Sequence, residues 1–188
     1  MISEEKIKKI KEKIKKLEKK DIDLIISDFD DTIFCRKEQL EDCELLRKNR
    51  WNAWNDIIIN ELWLENYWKK YYKNKIIPKN IVSKLRKWHD LILTAWYQEL
   101  QDCKLKNTWL DFHNYIVVKS PEDKIIKTIE YITDNLWFLP NKVTVYEDRP
   151  KYFIEYKDFL ENILSTPFDI MYVEMTDNYS EPKISKIK

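Results

Sequence analysis

Short apolar runs recur along the chain behind polar boundaries: "DLIISD" (23–28), "LILT" (91–94), "YIVVK" (115–119), "VTVYED" (143–148) and "DIMYVEM" (169–175). They are short and dominated by β-branched and aromatic residues, which predicts strands. The segments between them, about Tyr97–Leu105, Pro121–Leu136 and Pro150–Leu164, are long enough to carry the chain as helices from one strand end to the next strand start. Strands alternating with helices predict an α/β fold, a Rossmann-like doubly wound parallel sheet covered on both faces. One helix start is chemically explicit. In "SPEDK", Ser120 can cap, Pro121 suits the first turn, and Glu122 and Asp123 face the positive helix end.

Two stretches lie outside this alternation. Residues 4–20, "EEKIKKIKEKIKKLEKK", place Ile7, Ile10, Ile14 and Leu17 three and four apart, a narrow apolar stripe on a basic helix assigned to residues 1–20. It reads as a helix packed on the domain by one edge. Glutamates interrupt its basic face, which disfavours a nucleic-acid or membrane-surface role. Roughly 60 residues separate the first two strands, far more than one crossover helix needs. That stretch, with "NELWLENYWKKYY" in it, reads as a small helical cap inserted at 36–84 over the carboxyl edge of the sheet. The core is then 21–35 with 85–178, and 179–188 is a tail.

With 188 residues, 44% of them apolar, the chain can bury a core of its own. A formal net charge of +1 removes bulk charge as an argument for nucleic acid. Cys35, Cys43 and Cys103 are odd in number and form no C-x-x-C pair, a usage that fits a reduced, cytoplasmic protein. No apolar run approaches the length of a membrane span, and no signal-peptide core is present.

Glycine is absent and tryptophan numbers eight, whereas average usage of about 7% would supply roughly 13 glycines. Trp96 just past a strand end, and Trp109 and Trp137 after helical segments, stand where backbone logic asks for glycine. This pattern predicts that UGA codons meaning glycine have been translated as tryptophan. Trp88, in "LRKWHD", reads instead as an ordinary amphipathic-helix residue.

"ISDFDDTIF" (26–34) crowds three aspartates behind an apolar run, where like charges repel and lose hydration. A cation relieves that cost. Asp28 and Asp30 are two apart, so in extended backbone they project to one side and can share one ion. In open α/β sheets ligands bind beyond the carboxyl ends of the strands, and the polar residues there are Asp28, Asp30 and Thr32, then Thr94, Lys119 and Lys124, then Glu147 and Asp148. A carboxylate-rich set suits magnesium, which keeps waters and leaves room for a phosphate oxygen. Of the two lysines, Lys124 falls in a first helical turn near the strand ends, whereas Lys119 reads as a strand-end surface residue. Arg149 either contacts a substrate phosphate or pairs with Glu147, and His89 and His113 read as surface or packing residues.

In D-x-D-x-T as Asp28-Phe29-Asp30-Asp31-Thr32, followed by Thr94, Lys124 and the acidic pair Glu147-Asp148, the chain resembles the haloacid dehalogenase-like superfamily. "VYEDRPKYFIEY" and "LDFHNYIVVKSPEDK" look most like its Swiss-army-knife RNA-repair branch, and "EDR" is similar to the "DDR" of polynucleotide 3'-phosphatases. The resemblance implies a magnesium-dependent phosphatase. Asp28 would be the nucleophile, Asp30 the general acid and base, Thr94 and Lys124 the phosphoryl ligands, with Thr32 and Arg149 near substrate. The metal would be held by Asp28, the Asp30 carbonyl, Asp148 and Glu147, with Asp148 favoured for direct contact. The implied substrate is a phosphorylated small molecule or a nucleic-acid end, RNA first among them. A non-catalytic RNA- or protein-binding member of the fold is the competing reading, and dehalogenase chemistry is disfavoured because Asp30 is present.

Overall fold

The computed structural model describes residues 4–36, 75–176 and 181–187. Its elements are α1 (Glu4–Ile14), β1 (Glu18–Lys19), β2 (Leu24–Ser27), β3 (Cys35–Arg36), β4 (Lys75–Ile76), α2 (Lys79–Val82), β5 (Leu91–Ala95) and α3 (Gln98–Asn107). They continue with β6 (Asn114–Val118), α4 (Asp123–Glu130) running into a π-helical turn (Tyr131–Leu136), β7 (Phe138–Leu139) and β8 (Val143–Glu147). Next come α5 (Lys151–Glu155), α6 (Lys157–Leu164), β9 (Phe168–Glu174) and β10 (Lys183–Lys186).

Six strands form one sheet in the order β10-β9-β8-β2-β5-β6. β2 lies parallel to both β5 and β8, with Ile26 beside Leu91 and Ser27 beside Tyr146. Alternation along the strands sends side chains to two apolar layers. Leu24, Ile26, Leu91, Leu93, Val143, Val145 and Ile170 join one layer with α4 and α6. Ile92, Tyr146 and Val173 join the other with Phe29, Ile81 and Leu100. The α/β class read from the apolar runs is therefore found, with a sheet buried on both faces.

The sheet is mixed, which corrects the expectation of a wholly parallel one. β10 pairs antiparallel with β9, Ile184 beside Val173, so the segment assigned as a tail supplies an edge strand. An antiparallel neighbour needs no crossover helix, so a few residues after the last parallel strand suffice. The basic helix also ends earlier than its stripe predicts, because Glu18–Lys19 pair with Phe138–Leu139. Ile10 is buried, Ile7, Ile14 and Leu17 pack against the first layer, and Lys6 and Lys13 reach Glu130 and Asp134 at 2.9 and 2.7 Å. Trp88 lies in a turn, not a helix, and is 84% exposed.

β3 and β4 pair antiparallel, Cys35 beside Ile76, so the long insertion leaves and returns at one place. The stretch expected to form a helical cap, 36–84, with Cys43 and the aromatic run Trp51–Tyr72, lies outside the described residues apart from its ends. Among the described residues no helix is long and apolar enough to cross a membrane.

At the opposite, amino end of the sheet a buried carboxylate ties the central strands together. Asp90, 1% exposed, accepts the backbone N–H of Ile25 at 2.8 Å and of Arg86 at 2.7 Å, and the Arg86 Nε–H at 3.0 Å. The same guanidinium donates to the Asp23 carbonyl. Removing the carboxylate leaves two part-buried N–H groups without their acceptor and takes the buried anion from the half-exposed Arg86. Asp90→Ala is expected to lower the stability by about 2 kcal/mol in urea unfolding, the scale of lost hydrogen bonds to a charged acceptor, with no direct effect on the carboxyl-edge site.

Candidate active site

Order reverses on either side of β2: the chain passes to β5 and β6 on one flank and to β8 and β9 on the other. Ligands gather outside the carboxyl ends of the strands at such a switch point. Asp28 follows β2 directly, and Glu147 closes β8 beside it. The Asp28 N–H donates to the Tyr146 carbonyl at 2.9 Å, which keeps the two strand ends in register up to the acidic residues.

Asp28, Glu147 and Asp148 each offer one carboxylate oxygen, and these atoms all lie within 4.8 Å of one another. Lys124 stands among them. Its Nζ is 2.9 Å from Asp28 Oδ1 and 2.7 Å from Glu147 Oε2, and its side chain is buried. α4 delivers it from the far side of the sheet, with Ile125 and Ile129 packed into the first apolar layer. Lys119 is exposed, as its strand-end position predicts.

One ammonium does not cancel three carboxylates. Burial opposes the Lys124 charge, but Asp28 and Glu147 outweigh it and hold the ammonium above its ordinary range. The surplus negative charge appears on the other side. Burial, then the Asp28 charge, pushes Glu147 well above the usual carboxylate range even with Lys124 bonded to it. Asp148 is pushed up to about 7 by burial, by Asp28 and by Asp31. Asp31 rises to about 6 through burial and the neighbouring Asp30 and Asp28. Close hard-oxygen donors with unbalanced negative charge fit a small divalent cation such as magnesium.

That charge pattern has a measurable consequence. For Asp148 and Asp31 the folded protein binds protons that the unfolded chain has already lost, so folding is favoured at low pH and weakened as pH rises. Without divalent metal, the melting temperature is expected to fall between about pH 4 and about pH 7 as these groups ionise. Magnesium competes with those protons, so its stabilisation should grow over the same interval. Thermal melts at stepped pH with magnesium or with chelator check this, and equal slopes in both would refute it.

Asp30 departs from the expectation that it shares a cation with Asp28. The chain leaves extended geometry after Ser27 and turns, with Ile33 and Phe34 N–H both directed at the Phe29 carbonyl at 3.1 and 2.9 Å. Asp31 takes a left-handed conformation, φ 58°, which aspartate tolerates better than most residues. The Asp30 carboxylate consequently faces α3. Lys104 Nζ donates to its two oxygens at 2.8 and 3.0 Å, and Gln101 Nε2 donates to Oδ2 at 2.8 Å.

Gln101 and Lys104 were missed in the reading from sequence. Both are buried on α3 beside Leu100 and Leu105, and Gln101 Nε2 also reaches Thr94 Oγ1 at 3.3 Å. The available signal was a lysine on the inward stripe of a short helix, a costly position unless it meets a buried anion.

Thr94 is buried at the end of β5, as placed from sequence. Thr32 is fully buried in the aspartate loop, and its hydroxyl has no partner among the described residues. Arg149 pairs with Asp148, Nε to Oδ2 at 3.3 Å, not with Glu147, and remains 75% exposed. Glu147 is already taken by the buried lysine. His89 lies 3.6 Å from Asp90 at the amino end, far along the sheet from the acidic cluster.

Comparison of the chain with protein-family models, with curated proteins and with solved structures gave no match. What the chain does is therefore read from these residues and their geometry.

Proposed function

We propose that the chain is a magnesium-dependent phosphohydrolase of the haloacid dehalogenase-like type, acting on phosphate monoesters through an aspartyl-phosphate. One observation carries the reading. The first aspartate of D-x-D-x-T stands at the switch point with Lys124 2.9 Å from its carboxylate and two further carboxylates beside it.

In the first step an Asp28 Oδ attacks phosphorus, the bond from phosphorus to the ester oxygen breaks, and the departing oxygen takes a proton from Asp30. In the second, Asp30 takes a proton from water. The water oxygen attacks phosphorus, the bond to Asp28 breaks, and phosphate leaves. Lys124 offsets charge on the phosphoryl oxygens in both steps, and Thr94 donates to one of them. Asp28, Asp148 and Glu147, with the Asp30 carbonyl, would hold magnesium, which supplies electrostatic stabilisation of the phosphoryl charge. Asp30 must exchange its hold on Lys104 and Gln101 for the leaving oxygen, so substrate entry and its release from α3 are coupled.

The test is magnesium-dependent phosphate release from RNA 3'-phosphate, RNA 5'-phosphate, nucleoside monophosphates and sugar phosphates. Turnover of RNA ends above the small esters would favour end repair, the substrate class that "EDR" suggests. RNA retention without turnover of any ester would favour the binding-protein reading instead.

A further inference from the structure

We infer that residues 96, 109 and 137 are glycine in the protein the cell makes, and that the indole at 96 narrows a phosphate pocket the native chain leaves open. The second half rests on the phosphatase reading; the first does not.

Five residues among those described have positive φ: Asp31, Trp96, Trp109, Trp137 and Ser165. Only a few per cent of non-glycine residues do so, with aspartate enriched. Three of the four described tryptophans are in this set, at φ 150°, 60° and 62°, and they are the three that the backbone pattern singles out. The fourth, Trp88, is not.

Trp109 occupies the position after a helix cap. The Leu110 N–H donates to the Leu105 carbonyl at 3.0 Å, and the Trp109 N–H to the Lys106 carbonyl at 3.2 Å. Leu105 and Leu110 belong to the same apolar layer. This bond pair with its apolar contact is the helix stop in which glycine dominates the left-handed position. Trp137 ends the π-helical turn in the left-handed region, φ 62° and ψ 17°. Their side chains are 78% and 77% exposed, so packing gives no reason for the largest side chain at the least tolerant backbone. One codon, UGA, read as glycine in the cell and as tryptophan in this translation, accounts for the misplaced tryptophans and gives three glycines to a chain that otherwise has none.

At residue 96 the consequence is functional. The backbone N–H donates to the Val118 carbonyl at 2.8 Å, so the chain is fixed there whatever the side chain. The indole lies over Lys104, 5.2 Å from Nζ to the ring, next to the ammonium that grips Asp30 and two residues past Thr94. With glycine there, that space belongs to the substrate phosphate.

Peptide mass spectrometry of the protein isolated from its own cells decides the first half. The tryptic peptides 88–104, 107–119 and 128–142 should each be lighter by one tryptophan-to-glycine difference, with Trp88 reported in the first of them. Tryptophan at 96, 109 and 137 in those peptides overturns the inference.

In recombinant protein, Trp96→Gly, Trp109→Gly and Trp137→Gly together should raise the melting temperature by about 5–10 °C. The corresponding triple alanine variant should gain less than half of that, since its Cβ keeps the positive-φ penalty. An alanine variant as stable as the glycine one would overturn the backbone argument. For the second half, Trp96→Gly should bind orthovanadate with magnesium at least tenfold more tightly than the chain with Trp96, and equal binding would refute the narrowed pocket. Absence of turnover in every version would fell the phosphatase reading while leaving the peptide masses to decide residues 96, 109 and 137.

Discussion

Asp28→Asn is expected to abolish phosphate release, by about 10⁴-fold or more, as removal of a covalent nucleophile does elsewhere. Asparagine keeps the shape of the side chain but cannot form the acyl phosphate. Lys124 retains Glu147 at 2.7 Å, so the variant should stay folded and keep its circular dichroism. Asp30→Asn should lose turnover as well. It differs in one respect: with a substrate whose leaving group needs no proton, the aspartyl-phosphate should still form and persist. Phosphate release from Asp28→Asn within tenfold of the parent would sink the assignment of the nucleophile.

Lys124→Met is expected to cost about 3–5 kcal/mol of stability in metal-free urea unfolding, the range for leaving buried partners of an ion pair uncompensated. Asp28 and Glu147 both lose the one buried cation that they have among the described residues, in a cluster of three carboxylates. Adding Glu147→Gln to Lys124→Met should recover much of that loss, and a double-mutant cycle isolates the coupling. Turnover should not recover, because charge on the phosphoryl oxygens still lacks its partner. A Lys124→Met protein as stable as the parent without metal would show that the pair contributes nothing to the fold.

The two variants bear on one question, how an acidic cluster is kept inside a folded chain. Burial next to Asp28 raises Glu147 and Asp148; among the described residues the buried Lys124 offsets Glu147, and the exposed Arg149, then Lys124, offset Asp148. The free protein therefore carries a destabilised site, a common cost of placing function on a scaffold. Under the proposed function, bound magnesium would relieve that cost, which is what the melts at stepped pH with magnesium or chelator test.

Alternation and run length determined much of the architecture in advance. Five apolar runs became the five parallel strands of the main sheet, because a strand buried on both faces must be apolar along its length. The stripe Ile7, Ile10, Ile14 and Leu17 reached the core for the same reason. Asp28, Thr94, Lys124, Glu147 and Asp148 were legible as strand-end or first-turn polar residues, since the carboxyl edge collects whatever follows each run. The backbone demands at 96, 109 and 137 were legible too, because helix stops and strand exits constrain φ locally.

Only the tertiary structure decided what depends on residues distant in sequence. The edge strand Lys183–Lys186 exists because β9 offered an open side, a choice no local pattern in "KISK" announces. Gln101 and Lys104 became the partners of Asp30 because α3 packs over the aspartate turn, across more than seventy residues of chain. Arg149 went to Asp148 and not Glu147 because a buried lysine from another helix had already taken the glutamate. Local spacing determines which backbone a segment favours and which face it buries. Which charge meets which is determined only when the sheet order brings the ends of separate elements within a few ångströms.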